Sequence, residues 1–260
     1  MRTVFQQYCA QNLSDYEIFL PEAAMGSIFS DDLLAPFDLA DFEELVAAMS
    51  HAIVLFPEAP GSYAETGYFA AVPSLAQKCI LVMDFNRQHQ DSFISLGPAK
   101  KISEKSTFNP NINLNYTEPD FDLIVQRIRK RRQHKTKKSL SLEKFSTLSP
   151  YEIAAISHFI VQLLRIATIT DIQYIFRAIF HNHFSEDKVQ KVLSILVGAT
   201  YLNNVGDYGH YSVNSSKPSL AIVKEGFKTV ESQLRLDLAN IYIGRDPDFL
   251  KLIEETSNVN

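Results

Sequence analysis

Cysteine is scarce in this chain of 260 residues: Cys9 and Cys79 are the only two, each in an apolar setting and in no Cys-x-x-Cys or Cys/His spacing. That argues against a disulfide scaffold or a zinc knuckle and points to buried thiols in a reducing compartment. Long hydrophobic runs are missing as well. The best candidate, residues 156–169, is broken by His158, Gln162 and Arg165, so no bilayer span is expected. The opening residues, Met1-Arg2-Thr3-Val4-Phe5-Gln6-Gln7, turn polar at once and show no secretory leader. Seven histidines include His181 and His183, but no carboxylate or cysteine cluster completes a metal site around them. Internal repeats are absent. The expectation is a cytoplasmic protein without a metal and without a membrane partner.

What is present begins with enough chain to bury a real core in one large or two modest domains. The net charge of -5 conceals an asymmetry. Arg127, Arg129, Lys130, Arg131, Arg132, Lys135, Lys137 and Lys138 lie within twelve residues and without one acid, a local charge of +8 against -13 for the rest. Such a strip suits a polyanion contact, and equally a solvated helix end and linker.

One block stands out: Phe56-Pro57-Glu58-Ala59-Pro60-Gly61-Ser62-Tyr63-Ala64-Glu65-Thr66-Gly67-Tyr68-Phe69-Ala70. The apolar run His51 to Phe56 has strand length and composition and meets Pro and Gly, which end strands. After Ser62 the apolar residues recur at helical spacing. A strand, tight loop and helix place the amides of Gly61 to Ala64 at a helix N-terminus, with the Glu65 carboxylate in its first turn. In an α/β sheet that loop lies where such folds bind ligands, and a sugar-phosphate or nucleotide fits it. Ser62-x-x-Glu65 is also the pattern of a capping box, with Ser62 as the cap.

Along the chain, a short helix ends near Asn12 and Tyr16 to Leu20 reads as a strand stopped by Pro21. Asp38 caps a helix through Met49. The motif strand and helix follow, then Lys78 to Asp84 as a buried parallel strand and Asn109 to Leu114 as a weaker one. This alternation predicts an α/β domain over 1–117 with a flavodoxin- or Rossmann-like parallel sheet. A basic helix and serine-rich linker occupy 118–148. From 149 to 260 the pattern turns mainly helical, with helices at 150–167, 170–181 and 185–199, a hairpin turning at Gly206 to Gly209, and a last helix at about 219–240. Three helices followed by a hairpin is the order of a winged helix-turn-helix. Its candidate recognition helix offers only Lys188, Gln190 and Lys191 as polar readers, fewer than a strong sequence-specific DNA binder carries.

The motif block resembles the signature of nucleoside 2-deoxyribosyltransferase-like proteins, and more closely that of their retron-associated effectors. Phe19-Leu20-Pro21-Glu22, Asp31-Asp32-Leu33-Leu34 and Ser92-Phe93-Ile94-Ser95-Leu96-Gly97-Pro98 match in order, so the likeness covers roughly residues 1–100. The resemblance implies an N-glycosidase or ribosyltransferase toxin of antiphage defence, acting on NAD or nucleotides as substrate with no further cofactor. It implies restraint by a reverse transcriptase and its multicopy single-stranded DNA, and self-association is a further expectation. Glu65 would then be the catalytic carboxylate. Gly61 and Ser62 would contact the sugar or phosphate, Glu58 would hold ribose hydroxyls, and Asp84 would face the same crevice or serve as a loop carboxylate. Arg127, Arg129, Lys130, Arg131 and Arg132 would join Lys188, Gln190 and Lys191 in binding nucleic acid. Related proteins start with an extra strand and a Gly-rich loop that this sequence lacks, so the first strand of the sheet is expected to be missing. The alternative is a non-catalytic DNA- or partner-binding protein that retains the nucleotide-binding scaffold.

Overall fold

A computed structural model describes residues 1–22, 38–86, 91–108, 111–132, 144–181, 184–206, 209–221 and 225–245. The chain divides into two compact units, Met1–Ile18 with Glu43–Ser139, and Phe19–Phe42 with Leu140–Asn260. Asp31 to Leu34 lie outside the described residues.

In the first unit a three-stranded parallel sheet runs in the order β1 (Ile53–Leu55), β2 (Cys79–Asp84), β3 (Ile112–Leu114). Ile53 pairs with Cys79 and Val82 with Ile112. All six residues of β2 are buried, as a central parallel strand covered on both faces requires. The two-residue strand period divides its side chains between two cores. Ile80 and Val82 join Phe5 and Cys9 of α1 (Arg2–Asn12) and Ile124 and Ile128 of α5 (Asp122–Arg132). Cys79, Leu81 and Met83 join Ala47 of α2 (Leu39–Met49), Phe69 and Ala70 of α3 (Pro60–Ala71) and Ile102 of α4 (Lys100–Lys105). Helices therefore flank the sheet on both sides. The Tyr8 hydroxyl donates to the Asp122 carboxylate, tying α1 to α5, and that bond lifts the phenol to about 12. Both cysteines are buried and burial pushes their thiols up, to about 11 for Cys9 and about 12 for Cys79, so they stay protonated at neutral pH.

Tyr16 to Leu20 is not a strand. Tyr16 and Ile18 pack against the first core, which explains their apolar pattern, but the segment has no place in either sheet. Apolar alternation supplies burial, whereas a strand also needs a ladder partner.

The second unit holds α6 (Pro150–Leu164), β4 (Ile166–Thr168), α7 (Ile169–Phe180), α8 (Glu186–Gly198), β5 (Leu202–Val205), β6 (His210–Val213) and α9 (Lys228–Arg245). The strands form an antiparallel sheet in the order β4-β6-β5. β4 was read as the end of the preceding helix. Arg165 instead takes φ 71, which stops α6 and turns the chain into three extended residues. Two helix starts here are set by sequence-local boxes: Ser149 with Glu152, and Thr168 with Asp171. The linker residue Phe145 belongs to this core, its ring against Phe176, Phe180 and Phe184. The last helix begins at Lys228, later than the sequence pattern suggests.

Candidate functional site

The motif loop is shaped by one hydroxyl. Ser62 Oγ accepts from the amides of Glu58 (2.9 Å) and Ala59 (3.0 Å) and donates to the Ala59 carbonyl (2.9 Å). Its two acceptor positions and its proton are thereby used. Ser62 is not the helix cap expected from the sequence. α3 already begins at Pro60, whose fixed φ and missing N–H suit the first helical position, so Ser62 is the third residue and folds the loop back. The Tyr63 amide bonds to the Ala59 carbonyl at 3.0 Å. The amides of Gly61 and Ser62 are then the ones without an intrahelical acceptor, fewer than the Gly61 to Ala64 set read from sequence. A Cβ at Gly61 would meet nothing within 4 Å, so packing does not demand a glycine there.

Glu65 falls in the second turn of α3 and is half-buried. It shares a helix side with Ser62, one turn earlier, and with the buried Phe69, one turn later. Glu58 lies in the loop after β1, its carboxylate 2.8 and 3.1 Å from the Met1 amino group. Asp84 ends β2 with only 6% of its surface exposed, and its Oδ1 accepts from the Asn86 amide at 3.1 Å. Asp84 thus stands at the carboxyl end of the central strand and also bonds into the loop that follows it.

Tyr116 links these groups, and no sequence motif singles it out. It follows β3, donates its hydroxyl to the Val82 carbonyl at 2.7 Å, and packs its ring edge-on to Phe56. Burial pushes its phenol up, and the negative charges of Glu58 and Asp84 and the nearby Tyr63 push it further. Glu58 after β1, Asp84 at the end of β2 and Tyr63 in the first turn of α3 therefore bear on one phenol beyond β3, which stays neutral. The carboxyl end of the sheet gathers Glu58, Tyr63, Asp84 and Tyr116, with Glu65 on the helix that starts there. The signal that could have found Tyr116 is positional, since it stands two residues after the weakest predicted strand.

On the β2–β3 side, the Phe85 amide donates to the Leu114 carbonyl, and Asn86 Nδ2 donates to Asn115 Oδ1 at 3.2 Å. Beyond this, a turn of π-helix, Ser95–Ala99, contains Pro98 and packs against α3. It overlaps the Ser92 to Pro98 motif, and such turns recur at functional sites.

The basic strip is not one exposed row. Arg127 donates to the Phe108 carbonyl at 3.1 Å, and Arg131 lies over the Phe108 ring at 4.8 Å, one turn along the same helix face. Burial lowers the pKa of both guanidinium groups. Arg129 donates to the Asn12 carbonyl at 2.9 Å and sits 3.6 Å from the Asp15 carboxylate. Lys130 is exposed. The Arg132 side chain, Lys135, Lys137 and Lys138 lie outside the described residues. In the second unit, Lys188 is exposed on α8, Gln190 is half-buried, and Lys191 pairs with Asp187 at 3.2 Å. The strip and the α8 residues belong to different units. Among the described residues no group of His, Cys, Asp and Glu side chains is arranged to hold a metal ion, and no helix is long and apolar enough to cross a membrane.

Comparison with known proteins gives the same region a lineage. Residues 1–204 match the model of the family described as STM3845 retron effector protein. A protein named "Retron Ec86 putative ribosyltransferase/DNA-binding protein" from Escherichia coli is 36% identical over 118 residues, 43% of this chain and 36% of the relative. A second, "Retron Ec73 putative ribosyltransferase/DNA-binding protein", also from Escherichia coli, is 29% identical over 94 residues, 36% of this chain and 30% of the relative. Each match thus spans about a third of the relative's length. The family match covers most of the chain, and the chain belongs to the STM3845 retron effector family.

Proposed function

We propose that this member of the retron effector family acts on the N-glycosidic bond of NAD or a nucleotide, with Glu65 as the reacting carboxylate. The observation that carries the reading is the gathering of Glu58, Asp84 and Tyr116 at the carboxyl end of a parallel sheet, beside the helix that bears Glu65. Ligands of open α/β sheets bind at that end. The relatives' names, which include ribosyltransferase, point to the same chemistry.

In this reaction the C1′–N bond breaks, the electron pair departs with the base, and positive charge builds on the ribosyl ring. A carboxylate facing C1′ lowers that barrier, either by forming the new bond to C1′ or by stabilising the cation until water or another acceptor adds. The free amides of Gly61 and Ser62 suit a phosphate or sugar oxygen, since they point out of a helix N-terminus. Ser62 contributes through its amide, because its hydroxyl is spent on the loop. Glu58 and the neutral Tyr116 would line the ribose side. The sheet is read as the Rossmann-like core of the deoxyribosyltransferase-like superfamily.

The second unit is read as a winged helix. Its order of helix, strand, two helices and a hairpin, closed into one small sheet, supports this. With Lys191 held by Asp187 and Gln190 half-buried, α8 favours contact with a phosphate backbone or protein over base reading. The partners implied by family membership are a reverse transcriptase and its multicopy single-stranded DNA. The test is chromatography of free base after incubation with NAD and with deoxynucleotides. Glu65→Gln should cut release by about 100-fold or more while the melting temperature holds. Equal release from the variant would remove Glu65 from the chemistry, and DNA binding without any release would leave a binding protein on a nucleotide-binding scaffold.

A further inference from the structure

The proposed ribosyl chemistry leaves the departing base without a partner, and the residues just after β2 and β3 have capacity to spare. Asn115 Oδ1 accepts from the Thr117 amide at 3.0 Å and from Asn86 Nδ2 at 3.2 Å. The Thr117 donor fixes which end of the Asn115 amide is oxygen, and the shared bond then fixes the Asn86 amide too. Among the described residues two groups remain unspent: Asn115 Nδ2, a donor, and Asn86 Oδ1, an acceptor. A donor and an acceptor held side by side complement a planar edge that offers the opposite pair. The edges of nucleobases and the carboxamide of nicotinamide are such edges.

The location is suited to that role. Asn115 directly precedes Tyr116, and Asn86 directly follows Phe85, two residues after the buried Asp84. The Phe85 amide extends the β2–β3 ladder to the Leu114 carbonyl, which holds the two loops in register. The Phe85 side chain is 56% exposed, an apolar surface beside the amides in a place where a buried sheet would otherwise end in polar residues. No packing need explains an exposed phenylalanine here, whereas an aromatic base stacks on one.

We propose that Asn86 and Asn115 form a recognition ledge for the leaving group, reading the donor–acceptor edge of a nucleobase or nicotinamide while Phe85 supplies apolar contact. This inference rests on the ribosyl reading of the neighbouring carboxylates and names the part of the substrate that they do not hold.

The experiment is calorimetric titration of the full chain carrying Glu65→Gln, which keeps substrates intact. The ligands are ribose 5-phosphate, NAD, AMP and CMP. The quantity of interest is the gain in affinity of each base-bearing ligand over ribose 5-phosphate. Asn86→Ala and Asn115→Ala are each expected to lower that gain about tenfold, the scale of one good polar contact to a base edge, and to leave ribose 5-phosphate binding as it was. Asn115→Asp should lower it at least as far, because the donor becomes an acceptor. NAD separates from AMP and CMP in the variants if the carboxamide is what is read, and all fall together if it is any base edge. Asn86, with an exposed side chain, serves as the control for folding should Asn115→Ala disturb its turn. An unchanged gain in both alanine variants overturns the ledge. Absence of ribose 5-phosphate binding in the parent chain, with base-bearing ligands still weakened by the variants, would instead sink the ribosyl reading and keep the ledge.

Discussion

In the first unit the three strands run parallel, so their carboxyl ends lie side by side and the segments that follow them meet. In the second the neighbouring strands run antiparallel, so each edge of the sheet alternates between beginnings and ends. The polar residues follow this difference. Glu152 and Asp171 each close a box within one turn of their own helix, and Asp187 is spent on Lys191 four residues on. Asp84, at the end of β2, and Glu58, in the loop after β1, instead bear on one tyrosine beyond β3. The second unit uses its carboxylates to start helices, while the first brings them together across sequence. Chemistry is therefore expected of the first and contact of the second.

The sharpest way to break this comparison is to damage one unit alone. Leu193 is fully buried, and Leu193→Ala should cost the second unit about 2–5 kcal/mol, read as a lower unfolding midpoint. Base release should persist under conditions where the unit remains folded, and a parallel loss would show that catalysis depends on both.

A smaller effect comes from His158, 2% exposed, edge-on to Tyr201, and with no hydrogen-bond partner on either ring nitrogen. Burial lowers its pKa below the ordinary 6.5. Below that value the unfolded chain binds the proton more readily, so stability is lost as the pH falls from about 6.5 towards the folded-state value. Denaturant midpoints across pH 5 to 8 should show this slope, and His158→Phe should flatten it. A slope unchanged in that variant would assign the titration elsewhere.

Gly61→Ala should change stability by no more than about 1 kcal/mol, since the added Cβ meets no atom. It should weaken nucleotide binding all the same, because a ligand on the free amides must approach the backbone there. Affinity equal to that of the parent would move the ligand away from the helix start.

The smallest effect separates solvated from packed cations in the basic helix. If a single strand runs along it, Lys130→Ala should flatten the slope of log affinity against log salt by about 0.7. Arg131→Ala should leave the slope alone and instead destabilise by about 0.5–2 kcal/mol through loss of its contact with Phe108. Equal slopes changes for both would mean that Arg131 leaves the ring to reach the phosphate.

Much of this was legible beforehand. β2 was readable because five consecutive apolar residues between turn signals have few other fates, and two of the second-unit helices because their boxes are local in sequence. Tyr16 to Leu20 was misread because burial and strand pairing leave the same apolar pattern. Ser62 was misread because a serine three residues before a glutamate looks like a cap wherever the helix starts. β4 was hidden by apolar residues continuous with α6. The basic strip was read as one feature because charge is countable, whereas Phe108 and Asp15, which hold three of its arginines, are remote in sequence.

By itself the sequence determined the alternation of strands and helices, the position of Glu65 on a helix after a strand, and the split between an α/β part and a mainly helical one. These follow from periodicity and from Pro and Gly, which act over a few residues. Only the tertiary structure decided that Tyr116 stands with Glu58 and Asp84, that Asn86 meets Asn115, and that Arg127 and Arg131 turn onto Phe108. Those facts depend on parallel pairing and helix packing, which bring together residues that no local pattern connects.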